Sequence, residues 1–331
     1  MTFASIIVPA FNVADTLWPT MTALLHQTHP AYEIIVVDDG STDATPEIAA
    51  RFACDPRVRV IRQANRGLAG ARNSGIAAAR GRYIGFCDAD DLWLPEKLAR
   101  HVAHLDANPR VGISYCGSAL MNDDGALTGQ AQRPRLTGID AATIFKRNPI
   151  GNGSAAVMRR AVLDDIAFRP RHETLRDWYF DETFRQSEDI ECWLRIALRT
   201  EWVFEGIPGL WTQYRINAGG LSAATDRQRA AWERMVTKLT PLNPAFFEVN
   251  TPAARAYQLR YLARRAISDL DAPRAAALSR DWMAHSSVPL IEEPAKSLVT
   301  LAATAVLSLC GTAVLRRIMK YAQRLRTSEA V

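Results

Sequence analysis

Two hydrophobic patterns alternate along the first hundred residues. Short β-branched runs stand at 5–8, 33–37, 58–61 and 83–86, and apolar residues at helical spacing fill 15–27, 45–53 and 70–80. Such alternation predicts a parallel sheet with helices on both faces. The run Glu33-Ile34-Ile35-Val36-Val37 is apolar on both sides of the pleat, as a doubly buried strand must be. Ligands of such sheets gather outside the carboxyl ends of the strands. Here those ends are polar: Pro9-Ala10-Phe11-Asn12, Asp38-Asp39-Gly40-Ser41-Thr42-Asp43, Gln63-Ala64-Asn65-Arg66-Gly67 and Asp88-Ala89-Asp90-Asp91. Four consecutive strands thus deliver carboxylates, amides and arginine to one rim.

Further along, the pattern predicts a helix over 95–108, a strand over 111–121, a hairpin turn at Asn122-Asp123-Asp124-Gly125 and a polar loop over 129–138. Helix, strand and helix follow at 143–147, 153–159 and 160–166. Residues 167–186 are aromatic, arginine-rich and irregular; a helix covers 188–199, and two strands cover 202–205 and 210–216. From about 225 the texture is Ala, Arg and Leu at helical spacing. A helix pair is expected over 252–269 and 273–285, broken at Asp271-Ala272-Pro273.

Composition removes several classes of function. With 48% hydrophobic and 23% charged residues, the 331-residue chain is globular and long enough for two domains. Five cysteines without a C-x-x-C pair argue against a disulfide framework or zinc site and for a reducing compartment. The start, Met1-Thr2-Phe3-Ala4-Ser5, lacks a basic leader, so no signal peptide is expected. The formal charge is +5, but residues 297–331 hold five basic groups and one acid, leaving a nearly neutral body. A nucleic-acid partner is therefore not expected.

Candidate chemistry concentrates at the rim. Asp88-Ala89-Asp90-Asp91 packs three carboxylates into four residues, a pattern that calls for a hard divalent cation shared with substrate phosphates, or else is a solvated acidic turn. Asp38-Asp39-Gly40-Ser41 can accept from a base or ribose; alternatively it is a turn, with Ser41 or Asp43 capping the next helix. Gly67-Leu68-Ala69-Gly70-Ala71-Arg72-Asn73-Ser74-Gly75 can open a helix at Gly70 whose amides face a phosphate, with Arg72 nearby. Its other reading is close packing of small residues on the sheet. Glu188-Asp189 follows Ser187, a candidate helix cap; an acid here either complements the helix dipole or faces the rim as a general base.

Together, in order, these segments resemble the family 2 glycosyltransferases of GT-A fold. The resemblance runs from Ser5-Ile6-Ile7-Val8-Pro9-Ala10-Phe11-Asn12 through Val36-Val37-Asp38-Asp39-Gly40-Ser41, Asn65-Arg66-Gly67-Leu68-Ala69-Gly70-Ala71-Arg72-Asn73 and Asp88-Ala89-Asp90-Asp91. It ends with Phe180-Asp181-Glu182, Ser187-Glu188-Asp189, Tyr214-Arg215-Ile216-Asn217 and Gly220-Leu221-Ser222, covering about 4–222. It implies an α/β fold with a Rossmann-like, mostly parallel sheet over 1–222, split into a nucleotide-sugar half at about 1–108 and an acceptor half at 109–222. A helical region, 223–331, follows. It also implies roles. Pro9, Phe11 and Asp39 surround a uracil with Asp38 nearby, Arg72 lies by the base or diphosphate, and Asp88 with Ala89 contacts the ribose or sugar. Asp90 ligates Mn2+ or Mg2+, Asp189 is the catalytic base, and Glu188, Asp91 and Asn217 are accessory. Many relatives carry histidine where Asn217 stands, which leaves the third metal ligand open.

The implied reaction is inverting transfer of a sugar from a UDP-sugar donor to a hydroxyl of a saccharide acceptor, lipid-linked, in surface-polysaccharide biosynthesis. The rival is a non-catalytic nucleotide-sugar or glycan-binding module. A dinucleotide oxidoreductase would need G-x-G-x-x-G after the first strand, where Pro9-Ala10-Phe11-Asn12 stands. Arg169, Arg171, Arg176 and Arg185 mark either a loop for a phosphate-containing acceptor or a solvated basic loop. The uncharged stretch 297–315, flanked by Lys296 and Arg316-Arg317, is poor in content for a spanning helix. It is either a membrane-surface contact on the inner face of the cytoplasmic membrane, or a plain helical cap on a cytoplasmic enzyme.

Overall fold

The strand–helix alternation is realised as β1 (Ala4–Ala10), α1 (Ala14–Leu25), β2 (Tyr32–Asp38), α2 (Thr45–Phe52), β3 (Val58–Arg62), α3 (Gly67–Ala78) and β4 (Tyr83–Phe86). The structure is a computed structural model, and it describes residues 2–216 and 225–328. The chain divides into two units, Met1–Ile144 with Asn148–Ala223 and Phe145–Arg147 with Ala224–Val331.

In the first unit β3, β2, β1 and β4 lie side by side and parallel, and all seven residues of β1 and of β2 are buried. This burial is what the two-faced apolar run at 33–37 requires. Register sets the rim: Ala10 pairs with Asp38, Asp38 with Arg62, and Ile7 with both Ile35 and Phe86. Because these strands are parallel, the segments after Ala10, Asp38, Arg62 and Phe86 emerge at one edge. Gly75 on α3 lets the helix approach β1, since a Cβ there would stand 2.3 Å from Ile7.

The sheet continues through β5 (Leu92–Trp93), β6 (Val111–Met121), β7 (Leu127–Gln132), β8 (Ala156–Arg159) and β9 (Val203–Arg215). β8 runs antiparallel between β4 and β6, β9 lies parallel to β6, and β5 closes that edge. Helices α4 (Lys97–Ala107), α5 (Ala141–Lys146), α6 (Arg160–Ile166) and α7 (Glu188–Arg199) complete the described α-helices up to residue 216. The fold is GT-A: a mixed α/β sheet flanked by helices, with a helical region after it.

Three local expectations change. Part of 129–138 is strand β7, hairpin-paired with β6 around Gly125 at φ +85. Its polar sequence hid it because β7 is a largely exposed edge. The two strands expected over 202–216 are one, β9. Gly209 at φ +110 and register shifts against β6 absorb the Pro208-Gly209 break without ending the ladder. Helix α3 opens at Gly67, three residues before Gly70.

The second unit is helical. It comprises α8 (Thr225–Leu239), α9 (Pro244–Ser268), α10 (Ala272–His285), α11 (Val288–Glu292) and α12 (Pro294–Ser328). Asp271 caps α10 by accepting from Arg274 N at 3.1 Å, as the Asp-Ala-Pro break predicts. Leu259, Leu262, Ala263, Leu278, Trp282 and Leu307 form a core between α9, α10 and α12. Helix α9 starts eight residues before the expected position 252, because Pro252 is carried inside it.

Candidate functional site

The loop after β2 is held by its own carboxylates. Asp38 is fully buried; its Oδ1 accepts from Ser41 N at 2.9 Å and its Oδ2 lies 3.2 Å from Arg62 Nε. Asp39 accepts from Gln63 Nε2 at 2.6 Å, Arg66 N at 2.9 Å and Gly67 N at 2.8 Å. Asp39 thus takes the amide of the residue before α3 and the first amide of the helix, one of the donors a helix start leaves open. Space around the glycine-rich segment is tight: a Cβ on Gly70 would meet Arg66 and Glu182. Asp43 ties α1 to α2, accepting from Ala14 N and Thr45 N. Near the end of β1 Pro9 is buried; after the strand Phe11 is 48% exposed at the rim, and Asn12 adopts φ +52 while accepting from Thr42 N at 2.8 Å.

The acidic turn after β4 splits into inward and outward halves. Asp91 is fully buried, accepting from Ser154 Oγ at 2.5 Å and Arg215 N at 2.9 Å. Burial, then the charges of Asp88 and Asp90, push its carboxyl well above the usual range. Ser154 Oγ also accepts from Asp88 N at 2.8 Å, so one hydroxyl pins both ends of the turn. Thr20 Oγ1 donates to the carbonyls of Ala89 and Asp91. Beneath lies Lys97, fully buried, with Nζ donating to Thr212 Oγ1 at 2.6 Å and to the Ser154 carbonyl. Asp88 and Asp90 remain partly exposed.

Arg72 joins this turn to α7. Its Nη2 donates to Asp88 Oδ1 at 2.9 Å and its Nη1 to Glu188 Oε1 at 2.7 Å, and its guanidinium lies over the Phe86 and Phe180 rings. Burial works against its charge, but Asp88, Glu188 and Asp189 outweigh that and keep the guanidinium protonated. Glu188 is buried and Asp189 half-buried in the first turn of α7. Burial raises the pKa of both, against the opposing charge of Arg72. Asp189 Oδ2 accepts from Asn148 Nδ2 at 3.0 Å, and its Oδ1 accepts from Ile190 N at 2.8 Å.

The expected Ser187 cap is not formed. At φ +60 the residue leaves the extended conformation a capping serine uses, and its side chain makes no cap bond. Non-glycine residues at positive φ are costly, and two of the three among the described residues, Asn12 and Ser187, flank this region.

Segment 167–186 is pinned by residues outside the candidate set. Asn73 Oδ1 accepts from Tyr179 N and Phe180 N, while its Nδ2 donates to the Phe180 carbonyl and Glu182. Arg176 pairs with Glu182 at 2.5 Å and donates to the Gly70 carbonyl; Arg66 pairs with Glu182 and Glu173. Arg169 pairs with Asp177. Arg169 and Asp177 form a half-exposed surface pair, whereas Arg176 is largely buried on Glu182 and Gly70. Ser154 and Asn148 also escaped sequence reasoning: Ser154 sits in a 3-10 turn, Gly153–Ala155, where a strand was expected, and Asn148 in the connection after α5.

No group of three His, Cys, Asp or Glu arranged for a metal occurs among the described residues. The outward donors are Asp88 and Asp90. Two hard carboxylates at an open rim, with other positions left to phosphate oxygens and water, fit the way Mg2+-like ions are held beside nucleotides. Asn217 and the segment Gly220-Leu221-Ser222 lie outside the described residues.

The model of glycosyl transferase family 2 matches residues 5–167. The Escherichia coli UDP-Glc:alpha-D-GlcNAc-diphosphoundecaprenol beta-1,3-glucosyltransferase WfaP is 32% identical over 229 residues, 67% of this chain and 81% of WfaP. Three further curated glycosyltransferases are matched over 41%, 52% and 48% of their own lengths, so the chain spans about half of each. Among solved structures, S. aureus TarS 1-349 in complex with UDP-GlcNAc superposes with TM-score 0.58 at 17% identity, covering 92% of this chain and 90% of TarS. The Pyrobaculum calidifontis mannosyltransferase PcManGT in complex with GDP-Man and Mn2+ gives TM-score 0.56 at 21% identity, covering 93% and 87%.

Proposed function

The chain belongs to glycosyl transferase family 2, and on that premise we propose that it moves a sugar, with inversion, from a UDP-sugar to a hydroxyl of a lipid-linked saccharide. The observation that carries this reading is the Arg72 bridge. It holds Asp88 of the strand-end turn and Glu188 of α7 on one guanidinium, bringing together acids that lie far apart in the sequence. WfaP's donor and acceptor support the substrate class: a UDP-sugar and a saccharide on a lipid diphosphate. On this reading the reaction belongs to polysaccharide synthesis, on the cytoplasmic side of a membrane.

Asp189 is the proposed base. It removes one proton from the acceptor hydroxyl as the new bond to the sugar forms, a contribution of about 10²–10⁴-fold. Asn148 fixes the orientation of its carboxylate, and Glu188 is held away from the same proton by its ion pair. Asp90 and Asp88 would hold Mn2+ or Mg2+, with Asp91 turned inward as the support of the turn. Bound there, the ion would stabilise charge developing on the leaving diphosphate. Phe11 offers an exposed ring beside Pro9 for the base, and Asp38 and Asp39 shape the loop against which the nucleotide lies. Ala89, beside Asp88 in the turn, offers its carbonyl to Thr20 Oγ1.

A panel of UDP- and GDP-sugars, with polyprenyl-diphosphate GlcNAc as acceptor and released nucleotide as the readout, tests the reading. Metal-dependent release from a UDP-sugar is expected only with acceptor present. Binding of nucleotide sugars without turnover for any pair would favour the non-catalytic module.

A further inference from the structure

Helix α12 is apolar on its outward face as well as its inward one. Inward, Ser297 is 0%, Thr300 2% and Thr304 7% exposed, beside buried Leu307 and Leu315 and partly buried Leu301 and Val306. Those hydroxyls are satisfied. Ser297 Oγ donates to the Pro289 carbonyl and accepts from Arg260, Thr300 Oγ1 donates to the Lys296 carbonyl one turn earlier, and Thr304 meets Ser279 at 3.0 Å. The outward stripe is apolar: Leu298 and Leu309 are 60% and 84% exposed, and Ala302 and Ala305 lie between them at i+4 and i+7. Val299 beside this stripe is also exposed. A surface helix in water carries charged and polar residues on its outward face, and a contiguous exposed apolar stripe marks an interaction surface.

The occupant is indicated by length, packing and charge. α12 is the one described helix long and apolar enough to cross a membrane. However, its inner face is committed to α9 and α10 along the core shared with Leu259 and Trp282. The stripe from Leu298 to Leu309 is about 17 Å long at 1.5 Å per residue, roughly half a hydrocarbon core. Gly311, at φ +80 and ψ 175, then kinks the helix. Arg316 and Arg317, both exposed, follow the kink. We infer that the Leu298–Leu309 face of α12 lies in the interfacial plane of an anionic lipid bilayer, with Arg316 and Arg317 on its headgroups. The surface is that of a monotopic helix, half covered by protein and half by lipid.

The inference goes beyond the transferase reading and is tested without donor or acceptor, so the two stand or fall separately. The full chain is floated with vesicles of phosphatidylcholine alone or mixed with phosphatidylglycerol. Binding to the anionic vesicles and release by alkaline carbonate are expected. Arg316→Gln with Arg317→Gln should weaken binding about 25-fold. Leu298→Glu with Leu309→Glu should weaken it about tenfold or more. Thermal midpoints should hold in both, since all four side chains are exposed. Equal binding by the Leu298/Leu309 variant, or no binding to either vesicle, overturns the inference. Resistance to carbonate overturns it in favour of a spanning helix. A vesicle-free dimer that dissociates in the Leu309→Glu protein overturns it in favour of a second copy.

Discussion

Arg72 and Glu188 are 116 residues apart in the chain and 2.7 Å apart in the fold. The same guanidinium reaches Asp88, so one buried cation sets the distance between the strand-end turn and α7. Removing one partner of a buried, charge-paired group leaves uncompensated charge and costs about 3–5 kcal/mol. Arg72→Met should therefore lower the thermal midpoint by about 10 °C. Arg72→Lys keeps charge but cannot reach both carboxylates in a planar fork, and should lie between the two. A midpoint within about 2 °C of wild type for Arg72→Met would show that the bridge is not structural.

Asp90 and Asp91 are neighbours with different tasks, and substitution separates them. Asp91→Asn disturbs a buried carboxyl that accepts from Ser154 and Arg215, and should destabilise the protein by about 1–3 kcal/mol. Asp90→Asn should abolish the Mn2+-dependent part of UDP binding. Calorimetric titration of UDP with and without EDTA, beside melting curves, reads both. Equal metal dependence in the Asp90→Asn protein would remove Asp90 from the ion.

Ser154 holds the acidic turn from below, through Asp88 N and Asp91. Ser154→Ala leaves a buried acceptor short of one donor, at a cost of about 1–3 kcal/mol. The Mn2+-supported affinity for UDP should fall with it, because Asp88 loses its backbone anchor. Unchanged affinity with lowered stability would limit Ser154 to a structural part.

The general base must be ionised to act, so activity falls as pH drops through its pKa. Burial raises the Asp189 pKa above the ordinary aspartate range, so the acid limb of kcat/KM should lie above that range. The Asn148 amide stabilises the carboxylate by donating to Oδ2. Asn148→Leu removes that donor, disfavours the charged form and should move the limb to still higher pH. A pH–rate profile of the two proteins checks the sign; a limb shifted to lower pH contradicts the proposed orientation of the amide.

Much of this site was legible in the chain because its signals are local. Short β-branched runs located β1 to β4, one of them apolar on both faces, and parallel topology put the segments around Pro9, Asp38 and Asp88 on one rim before any contact was known. What escaped reading depends on contacts between distant residues. The Asn73 clamp on Phe180 spans 107 positions and the Ser154 bond to Asp91 spans 63. Neither leaves a periodic trace. The roles of Asp38 and Asp39 as ties of their own loop were half visible, in the turn reading of Asp-Asp-Gly-Ser. Along 297–315 the hydroxyls and aliphatics are interleaved, and only packing reveals that Ser297, Thr300 and Thr304 face in while Leu298 and Leu309 face out.

The most direct test of catalysis is Asp189→Asn, a change that keeps shape and removes the proton acceptor. Transfer to the lipid-linked acceptor and UDP binding with Mn2+ are measured on the same preparation. The base assignment predicts turnover reduced by about 10²-fold or more, with UDP affinity unchanged. Turnover near the wild-type value with UDP binding intact would contradict it.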